Sequence, residues 1–145
     1  MQQDDVAPTG RVMLHEYAKS GSTDLVLALL DEKSAAVDVR SSLGDTALIW
    51  AARSNHVGTI EALAARGAAL DAANNQGDTA LHLAAFKGHL EACKCLVKLG
   101  ASRVALNKAG KRPLDLARSV PIKVAVAPEE EDAEGYSGSG SDEDF

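Results

Sequence analysis

The sequence predicts an all-α solenoid: antiparallel helix pairs stacked side by side and joined by β-turn loops. Three observations carry this. Gly44-Asp45-Thr46-Ala47-Leu48 returns 33 residues later as Gly77-Asp78-Thr79-Ala80-Leu81, His56 returns as His89, and Gly67-Ala68 returns as Gly100-Ala101. A fixed period of about 33 residues marks a stacked array of one supersecondary unit. Within each period, a turn signal, a short apolar helix, a glycine break, a second amphipathic helix and a glycine stop follow one another. Finally, aromatic residues make up only 3% of the 145-residue chain. The core is therefore aliphatic and alanine-rich, which suits helices that pack closely through small side chains.

Taken in order, residues 1–10 are polar, carry Pro8 and Gly10, and read as a mobile lead-in. Residues 11–40 form an N-terminal capping repeat. Leu14 to Gly21 supplies its first helix and break, and Ser22-Thr23-Asp24 offers N-cap chemistry for a second helix from Leu25 to about Leu30. The Gly-x-Thr turn is missing there, as befits an end unit with one side toward water. Residues 41–73 are the second repeat. Its inner helix is expected from Thr46 to about Ser54 and its outer helix from about His56 to Arg66. Leu48, Ala51, Ala52, Ile60 and Leu63 are its expected core. Residues 74–106 reuse the plan with Leu81, Ala84, Ala85, Cys93, Leu96 and Val97.

A fourth copy begins at 107–118, where Gly110 again follows Gly77 by 33 residues. Pro113 suits a first helical turn, where its missing N–H matters least. The copy is expected to stop at Pro121 without a second helix. Ile122, Val124 and Val126 alternate with small or polar residues, a strand-like period, so 119–128 reads as a packed extension across the last repeat. Residues 129–145 hold eight carboxylates and no Lys or Arg. Gly/Ser-rich and almost without aliphatics, this tail cannot bury enough surface to offset ordering entropy and is expected to be disordered. The chain's net charge of −6 thus resolves into +2 over 1–128 and −8 over the tail.

Gly-Asp-Thr-Ala-Leu-His-Leu-Ala-Ala at 77–85, followed by Gly88-His89 and Gly100-Ala101, resembles the ankyrin repeat. The likeness covers roughly residues 11–118. The second repeat departs from the family pattern at Ile49, where His is usual, and at Asn55, where Gly is usual; Ala47 and Ala80 stand where Pro is preferred. The resemblance implies that His82 hydrogen-bonds within its own turn, near Thr79. It also implies that the concave side, made of turn tips and inner-helix residues, binds a partner protein. By register those positions are Leu43, Asp45, Arg53 and Ser54; Gln76, Asp78, Phe86 and Lys87; and Lys108 and Lys111. Trp50, at the position of Leu83, belongs to the same set, with packing between repeats as its first expected role. Phe86 is either a binding anchor or a ring lying on Arg53 or Ser54. Asp45 and Asp78 would select a basic partner, or serve helix N-termini electrostatically.

No chemistry of catalysis is visible. The histidines His15, His56, His82 and His89 fall at two repeat positions, so repeat register explains them, and no metal site is expected. No Gly-x-Ser-x-Gly elbow, P-loop or dinucleotide fingerprint occurs, and no cofactor is expected. Cys93 and Cys95 do not form a CxxC and read as small buried filler. No secretory signal is visible at the start, and no stretch approaches the ~20 apolar residues of a membrane span. A cytoplasmic or nuclear monomer is expected.

The leading function is a noncatalytic protein-interaction module, an adaptor or regulator. The alternative is a chaperone-like escort for a basic client, such as a ribosomal protein or histone, with the acidic tail shielding client charge. Between Lys98 and Lys123 seven cations face Asp115 alone, a net +6. That rim reads first as a solvated helical edge. Nucleic-acid binding is not expected, because no aromatics interleave and the tail would repel phosphates. The alternative is a self-contact, in which the acidic tail folds back over the rim and competes with an anionic partner. Ser139 and Ser141, each with an acidic residue three positions on, are expected phosphorylation sites.

Overall fold

The computed structural model describes residues 10–33 and 35–128. Most of the expected lead-in, the acidic tail and the sites Ser139 and Ser141 lie outside the described residues. Eight helices and no strand occur among the described residues: α1 (Gly10–Ser20), α2 (Thr23–Asp31), α3 (Ala47–Arg53), α4 (Val57–Ala65), α5 (Ala80–Lys87), α6 (Leu90–Leu99), α7 (Pro113–Leu116) and α8 (Val120–Val126). They form two layers. In the inner layer α1 packs on α3, α3 on α5 and α5 on α7; in the outer layer α2, α4, α6 and α8 follow one another in the same way. Each inner helix also packs on the outer helix that follows it.

The inner helices are short because their ends are set by side chains. Thr46 caps α3 by accepting from the Ile49 N–H at 3.3 Å, and Thr79 caps α5 by accepting from the His82 N–H at 3.3 Å. Ala51, Ala52, Ala84 and Ala85 are fully buried, small side chains that let neighbouring helices approach closely. Leu14, Leu48 and Leu81 fill the same position in three successive inner helices, and Val26, Ile60 and Cys93 do so in three outer ones. All the expected core residues are buried except Val97, which is half-buried on the flank of α6. At α2 the N-cap is Ser22, yet its hydroxyl bonds Ser20 and gives the helix no side-chain cap; Thr23 instead bonds Thr59 of α4 at 2.7 Å.

The expected end of the fourth copy is corrected. Where the pattern suggested that the fourth copy ends at Pro121 and continues as a strand-like extension, α8 supplies a second helix. Pro121 lies in its first turn, where no N–H is required. Ile122 and Val126, four residues apart, share the buried side, while Val120 and Val124 are about 70% exposed. The apparent alternation was thus two opposite faces of one helix. The departure at Asn55 is absorbed: Asn55 takes φ 60°, the left-handed conformation that Gly88 takes at φ 80° in the next repeat.

Candidate protein-binding face

The β-turn tips project from the inner layer and are built alike. In each, one polar side chain at the turn's start accepts from two backbone N–H groups: Ser41 from Leu43 and Asp45, Asn74 from Gln76 and Asp78, Asn107 from Ala109 and Lys111. Successive tips are then joined. The Asn75 N–H donates to the Leu43 carbonyl and the Lys108 N–H to the Gln76 carbonyl, both at 3.0 Å. Gly44 and Gly77 allow this approach. Both have φ above +80°, and a Cβ would lie 2.7 Å from the backbone nitrogen of Asn75 or Lys108 respectively.

This ladder reassigns the two aspartates. Asp45 is 1% exposed; it accepts from Asn74 Nδ2 at 2.9 Å and from Arg53 at 3.2 Å. It is a fastening between repeats and is not offered to a partner, correcting the expectation from register. Asp78 is half-buried and accepts from Asn107 Nδ2 at 2.8 Å. The spacing held the signal: Asp45–Asn74 and Asp78–Asn107 are both 29 residues apart. Lys111, at the same turn position, has no further turn above it among the described residues and is exposed.

The histidines are fastenings too. His82 Nδ1 accepts from the Thr79 N–H at 3.1 Å, so its proton sits on Nε2, which donates to the Lys111 carbonyl at 2.8 Å. His56 bonds the Lys19 carbonyl and His89 the Arg53 carbonyl, each reaching from an outer helix to the preceding repeat. His15 bonds the Val39 carbonyl. Among the described residues no group of three or more His, Cys, Asp or Glu converges to hold a metal. Burial pushes the Cys93 thiol up to about 12. Cys95 is also raised, first by burial and then by the Glu61 charge, against a lowering by Lys98.

The open face carries aromatic rings with cations against them. Trp50 is half-buried between the Lys19 ammonium, 5.3 Å from its ring centre, and the Arg53 guanidinium at 4.8 Å. Its Nε1 is buried without a hydrogen-bond partner among the described residues. Trp50 also walls an open recess of about 520 Å³ shared with His15, Glu16 and Arg40. Phe86 is 45% exposed, and the Arg118 guanidinium lies 5.3 Å from its ring centre, a neighbour the sequence reading did not name beside Arg53 and Ser54. Arg53 is held elsewhere, by Asp45 and Trp50. Leu43, at 63% exposure, and Gln76 stand on the tips; Lys87 and Lys108 are exposed, and Ser54 is half-buried at the end of α3. Sequence reasoning passed over Lys19 and placed Arg118 only in the basic run between Lys98 and Lys123. Lys19 shares the helix-end position of Arg53 and Phe86, a register that was readable.

A family model described as ankyrin repeats, in three copies, matches residues 14–108 and, overlapping them, 67–120. No curated protein matches the chain. Among the described residues no helix is long and apolar enough to cross a membrane.

Proposed function

The chain belongs to the ankyrin repeat family, whose members are generally protein–protein interaction modules, and on that premise we propose that it is a noncatalytic adaptor or regulator. It would hold a partner protein on the face formed by the turn tips and by α1, α3, α5 and α7. The observation that supports this is Phe86: a large ring left 45% exposed near the end of α5, with the Arg118 guanidinium against it. Binding energy concentrates in such aromatic and arginine residues. Leu43, Gln76, Trp50, Lys87, Lys108 and Lys111 would surround it; Asp45 has no part in the contact. The free thiols suit a reducing compartment, cytoplasm or nucleus, and a monomeric chain.

A second reading, escort of a basic client, draws support from the eight carboxylates of 129–145. Partner capture by the full-length chain separates the two. An adaptor loses its partner on Phe86→Ala and keeps it when those carboxylates are replaced by amides. An escort shows the reverse pattern, with binding that fades as salt is raised.

A further inference from the structure

We propose that the cationic part of the inner face has an occupant in the same molecule, the acidic segment 129–145. The proposal rests on reading that face as the binding surface and names what covers it when no partner is present.

The charges on the face are unbalanced. Asp45 is buried and bonded to Asn74 and Arg53, and Asp78 is bonded to Asn107. Asp115 accepts from the Arg112 N–H, and Glu16 lies at the far end of the array on α1. Lys87, Lys108, Lys111 and Arg118 are exposed at its C-terminal half. Directly beyond α8 the sequence supplies the opposite charge: eight carboxylates in seventeen residues and no cation. The exposed charges of this half of the face favour an anionic ligand, and one anionic segment is covalently attached.

Reach is not limiting. The described chain leaves at Pro128, beside Ala127, whose carbonyl accepts from Arg103 at 3.2 Å on the last repeat. Asp142 is fourteen residues further on. Fourteen residues can span up to ~46 Å, whereas neighbouring helices pack ~8–10 Å apart. The chain leaves from α8, which packs on both α7 and α5, so the path to Lys87 is short for it. The first acidic run, 129–134, lies within reach of Arg118 and Lys111, and the second, 142–144, within reach of Lys87. Tethering raises the local concentration of such a segment to the order of millimolar, so individually weak ion pairs suffice to hold it. A partner segment would then compete with this one for Lys87, Lys108 and Arg118.

The test uses the full-length chain with Ser141→Cys carrying a nitroxide label. Cys93 and Cys95 are buried, so the label goes to the introduced thiol. At low salt, ~20 mM, amides of 86–88, 108–111 and 117–119 should lose most of their intensity while those of α2 and α4 keep theirs; at ~0.5 M salt the loss should vanish. Lys87→Glu with Arg118→Glu should also remove it. The proposal is overturned by broadening confined to α8, by a pattern unchanged at high salt, or by broadening that arises only between labelled and unlabelled molecules in a mixture. No partner enters this experiment. A bare face would therefore leave the adaptor reading standing, and that reading fails separately if Phe86→Ala does not affect capture.

Discussion

His82 Nε2 lies 2.8 Å from the carbonyl oxygen of Lys111, a residue 29 positions later and one repeat further along. The same ring accepts from the Thr79 N–H within its own turn. One fully buried side chain therefore caps α5 and fastens the following turn. His82→Ala leaves the buried Thr79 N–H without an acceptor and takes one of two donors from the Lys111 carbonyl, which keeps only the Asn107 N–H. The orphaned buried donor costs about 1–3 kcal/mol. Denaturant unfolding should show that loss, together with faster amide exchange at residues 107–111.

Two glycines separate stacking from local conformation. Gly77 (φ +81°) and Gly110 (φ +76°) sit at the same turn position. A Cβ on Gly77 would meet the Lys108 nitrogen at 2.7 Å, whereas on Gly110 it would meet nothing within 4 Å. Both alanine variants bear the left-handed cost of about 1–2 kcal/mol. Only Gly77→Ala also pushes two turns apart. Its unfolding free energy should fall clearly below that of Gly110→Ala, and equal losses would mean that the turn ladder adds nothing.

Asp115 gives the last inner helix an acid-sensitive start. The Arg112 N–H donates to its carboxylate at 2.9 Å, and that bond, helped by the Arg112 and Lys111 charges, holds the carboxyl below its usual range. Folding thus lowers its proton affinity. Its contribution is complete above the ordinary carboxylate value of ~4 and is lost as pH falls through the lower folded value. The difference in melting temperature between the parent chain and Asp115→Ala should be constant above ~pH 5 and should close on further acidification.

Much of this architecture could be read from the residues, because repetition multiplies weak signals. Gly44-Asp45-Thr46 and Gly77-Asp78-Thr79 each predict a turn and a cap, and their spacing predicts stacking. Two kinds of feature were hidden. One was α8, where period-two and period-four readings of Ile122, Val124 and Val126 coincide over so few residues that only packing decides. The other was the contact set. Asp45 looks like a tip residue until the next repeat's Asn74 is placed over it, and the neighbour of Phe86 is Arg118, 32 positions away. Such pairings depend on how one turn sits on the next, which no single repeat reveals.

The central claim is that the inner face, around Phe86, is where a partner lies. It is tested most directly by placing a photo-crosslinking amino acid at Phe86 in the full-length chain and, separately, at Leu25, which is comparably exposed on the outer helix α2. Irradiation in cells should give a discrete crosslinked protein from position 86 and none from position 25, and the product should disappear when Arg118→Glu is added. Equal crosslinking from both positions, or a product from position 25 alone, would contradict the account.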